Sequence, residues 1–263
     1  MLSTLKRVLA NPFKPSTKTE YELAKVYKYP RFTLGYTNIF GNTFAFHDSF
    51  CFCVTYREIF ENEIYKFSPS AEKRTIIDCG ANMGISVAYF SFNYPSHTIH
   101  AFEPDSGLFK ILTRNVDNLG LKNVVLHNKA VWDKEEKLVF YTDGGMGGRV
   151  NDAYKNQDPT YIQAVALEDY IDENVDFLKI DIEGAEDVVL QSCKEKLNQV
   201  ERIFFEYHNK LDSPQTLHEL LNLVKQAGFN YYLKDSSSRQ RPFVDTEVIC
   251  ETFDMATNVF CYK

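Results

Sequence analysis

The chain has 263 residues, 44% of them hydrophobic, which is enough to bury one substantial core or one core with a small appendage. A formal net charge of −7 and an isoelectric point near 5.4 argue against a general nucleic-acid binder, because phosphate backbones select for clustered Lys and Arg. Six scattered cysteines, with no C-x-x-C pair and no histidine cluster at zinc spacing, read as small buried thiols of a reducing compartment and give no metal site.

In chain order, "MLSTLKRVLANPFK" contains no apolar run long enough for a signal peptide, and no later stretch reaches transmembrane length. A soluble, cytoplasmic protein is expected. Residues 1–70 are rich in Tyr and Phe, with short alternating stretches from Phe32 to Val54 and turn signals at Gly35 and "FGNTF". They read as a small β-containing cap followed by a helix over "YREIFENEIYKF".

Residues 71–263 read as the main domain. From Thr75 onward, short β-branched runs alternate with helical patterns, as βα units of a parallel sheet do. The expected strands are "TIIDCG", "TIHAFE", "NVVLHNKAV", "VDFLKID", "RIFFEYH", "FNYYLK" and "NVFCYK". Helices are expected over Ile85 to Asn93, Ser106 to Leu119, Ala185 to Cys193 and Pro214 to Ala227, with a less regular stretch from Lys137 to Tyr170.

"TIIDCGANMGISVAYF" is a strand, a loop carrying Asp78, Gly80, Ala81, Asn82 and Gly84, and a helix, a geometry that presents backbone N–H groups to a ligand. The dinucleotide fingerprint needs a second glycine where the backbone approaches a pyrophosphate, and Asn82 stands there. S-adenosylmethionine has no pyrophosphate, so the substitution favours it over NAD. Glu103, at the tip of the next strand, is placed to accept both hydroxyls of an adenosine ribose, with Asp105 capping the following helix. "HNKAVWD" would face the adenine, with Ala130, Val131 or Trp132 as the apolar side and Asn128 or Asp133 as the polar partner, while Trp132 is equally well read as ordinary packing.

The strand "VDFLKIDIEGAED" runs straight into Asp181, Glu183, Glu186 and Asp187. Together with "IIDCGANMGISV", "AFEPD", "AVALEDYI" and "RIFFEYH", it resembles the FkbM family of S-adenosylmethionine-dependent methyltransferases over about residues 56 to 210. The resemblance implies an α/β, Rossmann-like class I methyltransferase fold. Its sheet would have seven mostly parallel strands in the order 3-2-1-4-5-7-6, with strand 7 antiparallel and helices on both faces. "LKID" would be strand 4 and "FFEYH" strand 5.

In such a sheet the ligand sits beyond the carboxyl ends of the strands, so Asp181 and Glu206 end neighbouring strands at the catalytic edge. Asp181, Glu183, Glu206 and His208 are the catalytic candidates, because an acceptor must lose a proton as it takes the methyl group. Glu186 and Asp187 fall in the first turn of a helix, where the dipole favours them, and Lys179 faces the same side as Asp181 and can pair with a carboxylate. The same acids offer ligands that a divalent ion accepts, but the motif differs from that of known metal-dependent relatives, and no metal is assigned. Family resemblance favours a hydroxyl acceptor on a small molecule, sugar or glycan, lodged against the aromatic N-terminal region and the glycine-rich "DGGMGGRV". The apolar cap equally suits a homodimer surface. A NAD-linked oxidoreductase would share strand, loop and ribose acid but leave "KIDIEGAE" unexplained, and a non-catalytic nucleotide-binding module would need no acidic strand ends.

Overall fold

The computed structural model describes residues 15–142, 148–150, 159–211, 213–236, 240–245 and 253–263. The chain enters through α1 (Pro15–Val26), a two-stranded antiparallel ribbon of β1 (Gly35–Thr37) and β2 (Phe44–Phe46), and α2 (Ser49–Tyr56), which continues as one π-helical turn over Arg57–Glu61. The helix expected over "YREIFENEIYKF" is therefore displaced. It begins at Ser49, where the Asp48 side chain accepts from Cys51 N, and it ends before Glu63, whose φ of 51° reverses the chain. "SFCFCVTY" is apolar on nearly every side, so its alternation imitates a strand while its length and N-cap specify a helix.

The βα units follow: β3 (Thr75–Cys79), α3 (Ile85–Asn93), β4 (Thr98–Phe102), α4 (Ser106–Leu119) and β5 (Val124–His127). The chain then leaves the main sheet for β6 (Ala130–Trp132), β7 (Glu136–Tyr141), β8 (Arg149–Val150) and β9 (Thr160–Ala166). It returns as β10 (Val175–Ile180), α5 (Glu186–Ser192), β11 (Arg202–Lys210), α6 (Leu217–Gln226), β12 (Asn230–Asp235) and β13 (Phe253–Tyr262).

Among the described residues, seven strands form the main sheet in the order β12-β13-β11-β10-β3-β4-β5. Only β13 runs antiparallel to its neighbours. Read from the other edge this is the 3-2-1-4-5-7-6 order of a Rossmann-like class I methyltransferase. "NVVLHNKAV" does not form one strand: it divides at Asn128, β5 ending the main sheet and β6 joining a second, four-stranded sheet in the order β6-β9-β7-β8. That second sheet accounts for the stretch from Lys137 to Tyr170 whose pattern had no single period.

Residues of period two divide the core between the sheet's faces. Ile77, Leu178, Ile180, Ile203 and Phe205 pack with Val189 and Leu190 of α5 and Val224 of α6. Ile76, Ile99, Phe177 and Phe204 face the other way, onto Tyr89 and Phe90 of α3 and onto Leu23, Phe44, Phe46, Phe52 and Tyr65 of the N-terminal segment. The aromatic N-terminal region therefore shares a core with the sheet. Asn115 of α4 fastens it further: its side chain accepts from Ala45 N and donates to Ala45 O and Met83 O, tying β2 to the glycine loop.

Candidate functional site

The loop after β3 turns on three left-handed residues, Gly80 (φ 84°), Asn82 (φ 50°) and Gly84 (φ 94°). At Gly80 the need for glycine is steric as well, since a Cβ would lie 1.9 Å from the carbonyl oxygen of Asp181. Asn82 stands where a dinucleotide loop has glycine because asparagine also tolerates the left-handed region. Gly80 N and Ala81 N both donate to Phe102 O, and Asn82 N donates to Glu103 Oε2, so the loop is bonded to the end of β4.

Glu103 is buried, and its second carboxylate oxygen accepts from Asp105 N. Burial pushes its carboxyl up to about 8, although the N–H groups of Asp105 and Asn82 pull the other way. Asp105 caps α4 as expected, accepting from Gly107 N and Leu108 N. Asp78 lies beneath the loop, fully buried, where it accepts from Ser86 Oγ and pairs with Lys179 Nζ at 3.1 Å. Asn128 serves as a brace, donating to the carbonyls of Glu103 and Pro104.

The acidic strand end lies directly against this loop, since Asp181 N donates to Cys79 O. Lys179 Nζ sits 3.1 Å from Asp78 and 3.6 Å from Asp181. Burial works against its charge, but Asp78 and Asp181 outweigh it and raise the ammonium's pKa. Past Asp181 the chain turns on two left-handed residues, Glu183 (φ 58°) and Gly184 (φ 95°). The turn directs the N–H groups of Ile182 and Gly184 onto the carboxylate of Glu186, whose Oε1 is 3.1 Å from His208 Nδ1. Glu186 is thus fixed by specific bonds as well as by the helix dipole. His208 Nε2 faces Glu183 Oε2 at 3.8 Å and Glu206 Oε1 at 3.9 Å, and Ser236 Oγ donates to Glu206.

Burial raises the carboxyls of Glu183 and Glu206 above the usual range; neighbouring acids, Asp181 foremost for Glu206, add to the effect and His208 opposes it. For His208 burial disfavours the imidazolium, yet Glu183, Glu186 and Glu206 prevail and hold it well above its ordinary value. The side chain of His208 is only 7% exposed.

One cavity joins the two halves. It is lined by Gly80, Ala81, Asn82 and Glu103, by Ala130 and Val131, and by Asp181, Glu183 and Glu206. Asp78, Gly84, Asn128 and His208 stand behind this wall, shaping it. From the N-terminal segment the cavity takes Thr55, Glu58, Ile59, Ile64 and Tyr65, and none of the residues of "YELAKVYKYPRFTLGYTNIF" that had been expected to form the acceptor pocket. Of those aromatics Tyr21, Tyr27, Tyr29, Phe32 and Tyr36 are exposed, Tyr29 lying edge-on to Phe46, while Phe40 packs against Phe44. Of "DGGMGGRV", Gly148 and Val150 line the cavity, and residues 143–147 lie outside the described residues, as does Cys250.

Sequence reasoning missed Glu58, Tyr65 and Asn258, which also line the cavity. The first two belong to a stretch read only as a helix, and Asn258 comes from the far end of the chain, beside Glu206 through the β11–β13 pairing.

The chain resembles known methyltransferases in sequence. Methyltransferase 1 of Beauveria bassiana (strain ARSEF 2860) is 25% identical over 166 residues, covering 54% of this chain and 67% of its own length. Methyltransferase sdnD of Sordaria araneosa is 28% identical over 180 residues, covering 54% and 68%. A crystal structure of a methyltransferase FkbM from Methylobacillus flagellatus KT superposes with a TM-score of 0.48 at 14% identity, covering 98% of this chain, which spans 58% of that one. Residues 78–231, more than half of the chain, match the methyltransferase FkbM domain, and they hold both the glycine loop and the acidic strand ends. The chain belongs to the FkbM family of S-adenosylmethionine-dependent methyltransferases.

Proposed function

We propose that this chain methylates a hydroxyl oxygen of a sugar, a glycan or a related biosynthetic intermediate. The observation that carries the reading is the single cavity walled on one side by Glu103 and the glycine loop and on the other by Asp181, Glu183 and Glu206.

The residues suit the cofactor. Glu103 has given one acceptor direction of each oxygen to a backbone N–H, which leaves the others for a pair of ribose hydroxyls. Ala130 and Val131 offer an apolar wall to the adenine, and Gly80, Ala81 and Asn82 present the close-lying backbone. When bound, S-adenosylmethionine supplies a methyl group on a sulfonium, and the acceptor's C–O bond forms as the C–S bond breaks.

The chain's own task is then to hold the acceptor and manage its proton. The hydroxyl must give up its hydrogen, and Asp181, Glu183, Glu206 and His208 are the groups gathered there to orient it and receive that proton. Tyr65, Ile59 and Ile64 provide an apolar surface for the face of a sugar ring, and Glu58 an acceptor for its hydroxyls. The five described cysteines are free and buried, which fits a cytoplasmic setting. A NAD-linked oxidoreductase or a non-catalytic module would leave the acidic residues without a task.

The test is transfer of radiolabelled methyl from S-adenosylmethionine to a panel of nucleotide sugars, free glycans and amine-bearing controls. Labelling of a sugar hydroxyl, lost in Asp181→Asn while S-adenosylhomocysteine still binds, is the expected result. Labelling confined to amines would overturn the acceptor class.

A further inference from the structure

Polar atoms just past the end of β10 and midway along β11 gather without hydrogen bonds among Glu183, Glu206 and His208 Nε2, while Asp181 pairs with Lys179 and Glu206 accepts from Ser236. Glu183 Oε2 and Glu206 Oε1 stand 3.8 and 3.9 Å from His208 Nε2, beyond hydrogen-bond reach. Ligand atoms of Asp181, Glu206 and His208 all lie within 4.8 Å of one another. The other ring nitrogen of His208 is engaged: Nδ1 meets Glu186 Oε1 at 3.1 Å, and Glu186 is itself held by the N–H groups of Ile182 and Gly184. A histidine whose Nδ1–H is given to a fixed carboxylate and whose Nε2 faces two more carboxylates has the outer-shell arrangement of a metal ligand.

An independent atom points to the same place. Asn258 of β13 pairs directly with Glu206 in the antiparallel register, which puts the two side chains on one face of the sheet. The residue is 2% exposed and lines the cavity, and its Oδ1 is buried with no hydrogen-bond partner among the described residues. An orphaned amide oxygen is costly to bury and is a good ligand for a hard cation.

We propose that Asp181, Glu206, His208 and Asn258 form a binding site for a divalent cation of the Mg²⁺ or Mn²⁺ class, with Glu186 as the positioning residue behind His208. Three oxygens and one imidazole nitrogen match that class and include no thiolate. A six-coordinate ion held by four protein atoms keeps two positions, one of which suits the acceptor oxygen. Binding displaces any proton on His208 and offsets the facing carboxylates. The use made of the ion rests on the methyl-transfer reading: it would fix the acceptor hydroxyl and lower its pKa, with Glu183 left among the acids to take the proton. Binding itself does not depend on that reading.

The experiment is titration of the chelator-stripped full chain with Mn²⁺ alone, the free ion followed by electron paramagnetic resonance, with S-adenosylhomocysteine binding measured on the same samples. One Mn²⁺ per chain is expected, weakened at least tenfold by Asp181→Asn and severalfold by Asn258→Ala. Glu186→Gln should weaken it by about 10- to 100-fold, as loss of an outer-shell partner does. Asp187→Asn, on the same helix but outside the cluster, should bind as the unaltered chain does. Thermal melts of each variant separate lost binding from lost folding. Absence of Mn²⁺ binding by the unaltered chain, or equal binding by folded Asp181→Asn and Glu186→Gln, overturns the site. Methyl transfer undiminished in excess chelator overturns the use assigned to the ion while leaving the methyl-transfer reading intact; Mn²⁺ binding without S-adenosylhomocysteine binding supports the site and overturns the cofactor pocket.

Discussion

Replacing Gly80 by alanine should damage the protein in a way that an otherwise comparable glycine does not. Gly80 and Gly228 both hold left-handed backbone, with φ of 84° and 94°. An alanine forced there costs roughly 1–2 kcal/mol from the contact of its Cβ with the backbone. At Gly228 nothing else is near, since no atom lies within 4 Å of an added Cβ. At Gly80 the same methyl would sit 1.9 Å from Asp181 O, in the backbone just past the end of the buried strand β10, and relieving that overlap adds about 1–3 kcal/mol. Gly80→Ala is therefore predicted to destabilise by about 2–5 kcal/mol and Gly228→Ala by about 1–2 kcal/mol. Urea unfolding followed by the fluorescence of Trp132, the one tryptophan of the sequence, measures both. The strand end that must move carries Asp181, and a misplacement of about 1 Å at a reacting group can cost on the order of 100-fold in rate. Turnover by the folded fraction of Gly80→Ala should fall accordingly and that of Gly228→Ala should not. Equal destabilisation by the two variants, or unaltered turnover in Gly80→Ala, would refute the close approach of loop and strand end.

Three further outcomes follow from particular contacts. Burial pushes Glu103 up to about 8 from its ordinary 4.5, so its contribution to stability is fully present below pH 4.5 and is lost as pH rises through 8. The ceiling is on the order of 5 kcal/mol, and the stability difference between Glu103→Gln and the unaltered protein should shift in favour of the variant between pH 5 and pH 9, as read from paired denaturation curves. Asn115→Ala leaves the polar groups of Ala45 and the carbonyl of Met83 without their partner, and should cost about 2–4 kcal/mol in the same urea assay. Glu183→Gly relieves a side chain held at φ 58° and removes one of several facing acids; a thermal melt should show stabilisation by roughly 1 kcal/mol while methyl transfer falls.

The sheet was legible because its strands are short apolar runs bounded by turn residues, and the loop between Asp78 and Gly84 because glycine, asparagine and aspartate mark a backbone that must turn and cap. Glu103, Asp181, Glu183 and Glu206 meet around one cavity, with His208 behind its wall, because the parallel register of β10 and β11 sets Asp181 beside Glu206; β11 itself runs on to Lys210, so Glu206 does not end its strand as expected. What could not be read has specific causes. The α2 segment is apolar nearly all round, with Phe50 and Val54 exposed opposite its buried face, so it carries no amphipathic period. The division of "NVVLHNKAV" between two sheets depends on Asn128, whose side chain bonds to the carbonyls of Glu103 and Pro104 far earlier in the chain. Asn258 looks like one polar position in an alternating strand until the pairing of β13 with β11 sets it beside Glu206. Glu186 reads as a helix-dipole residue, and only the turn at Glu183 and Gly184 makes it the carboxylate that fixes His208.

Calorimetric titration of the purified chain with S-adenosylhomocysteine, with NAD as comparison and Glu103→Ala alongside, tests the central claim most directly. Binding of S-adenosylhomocysteine alone, lost in Glu103→Ala, is the predicted result. Binding of NAD, or S-adenosylhomocysteine affinity unchanged in the variant, would contradict the assignment of this cavity.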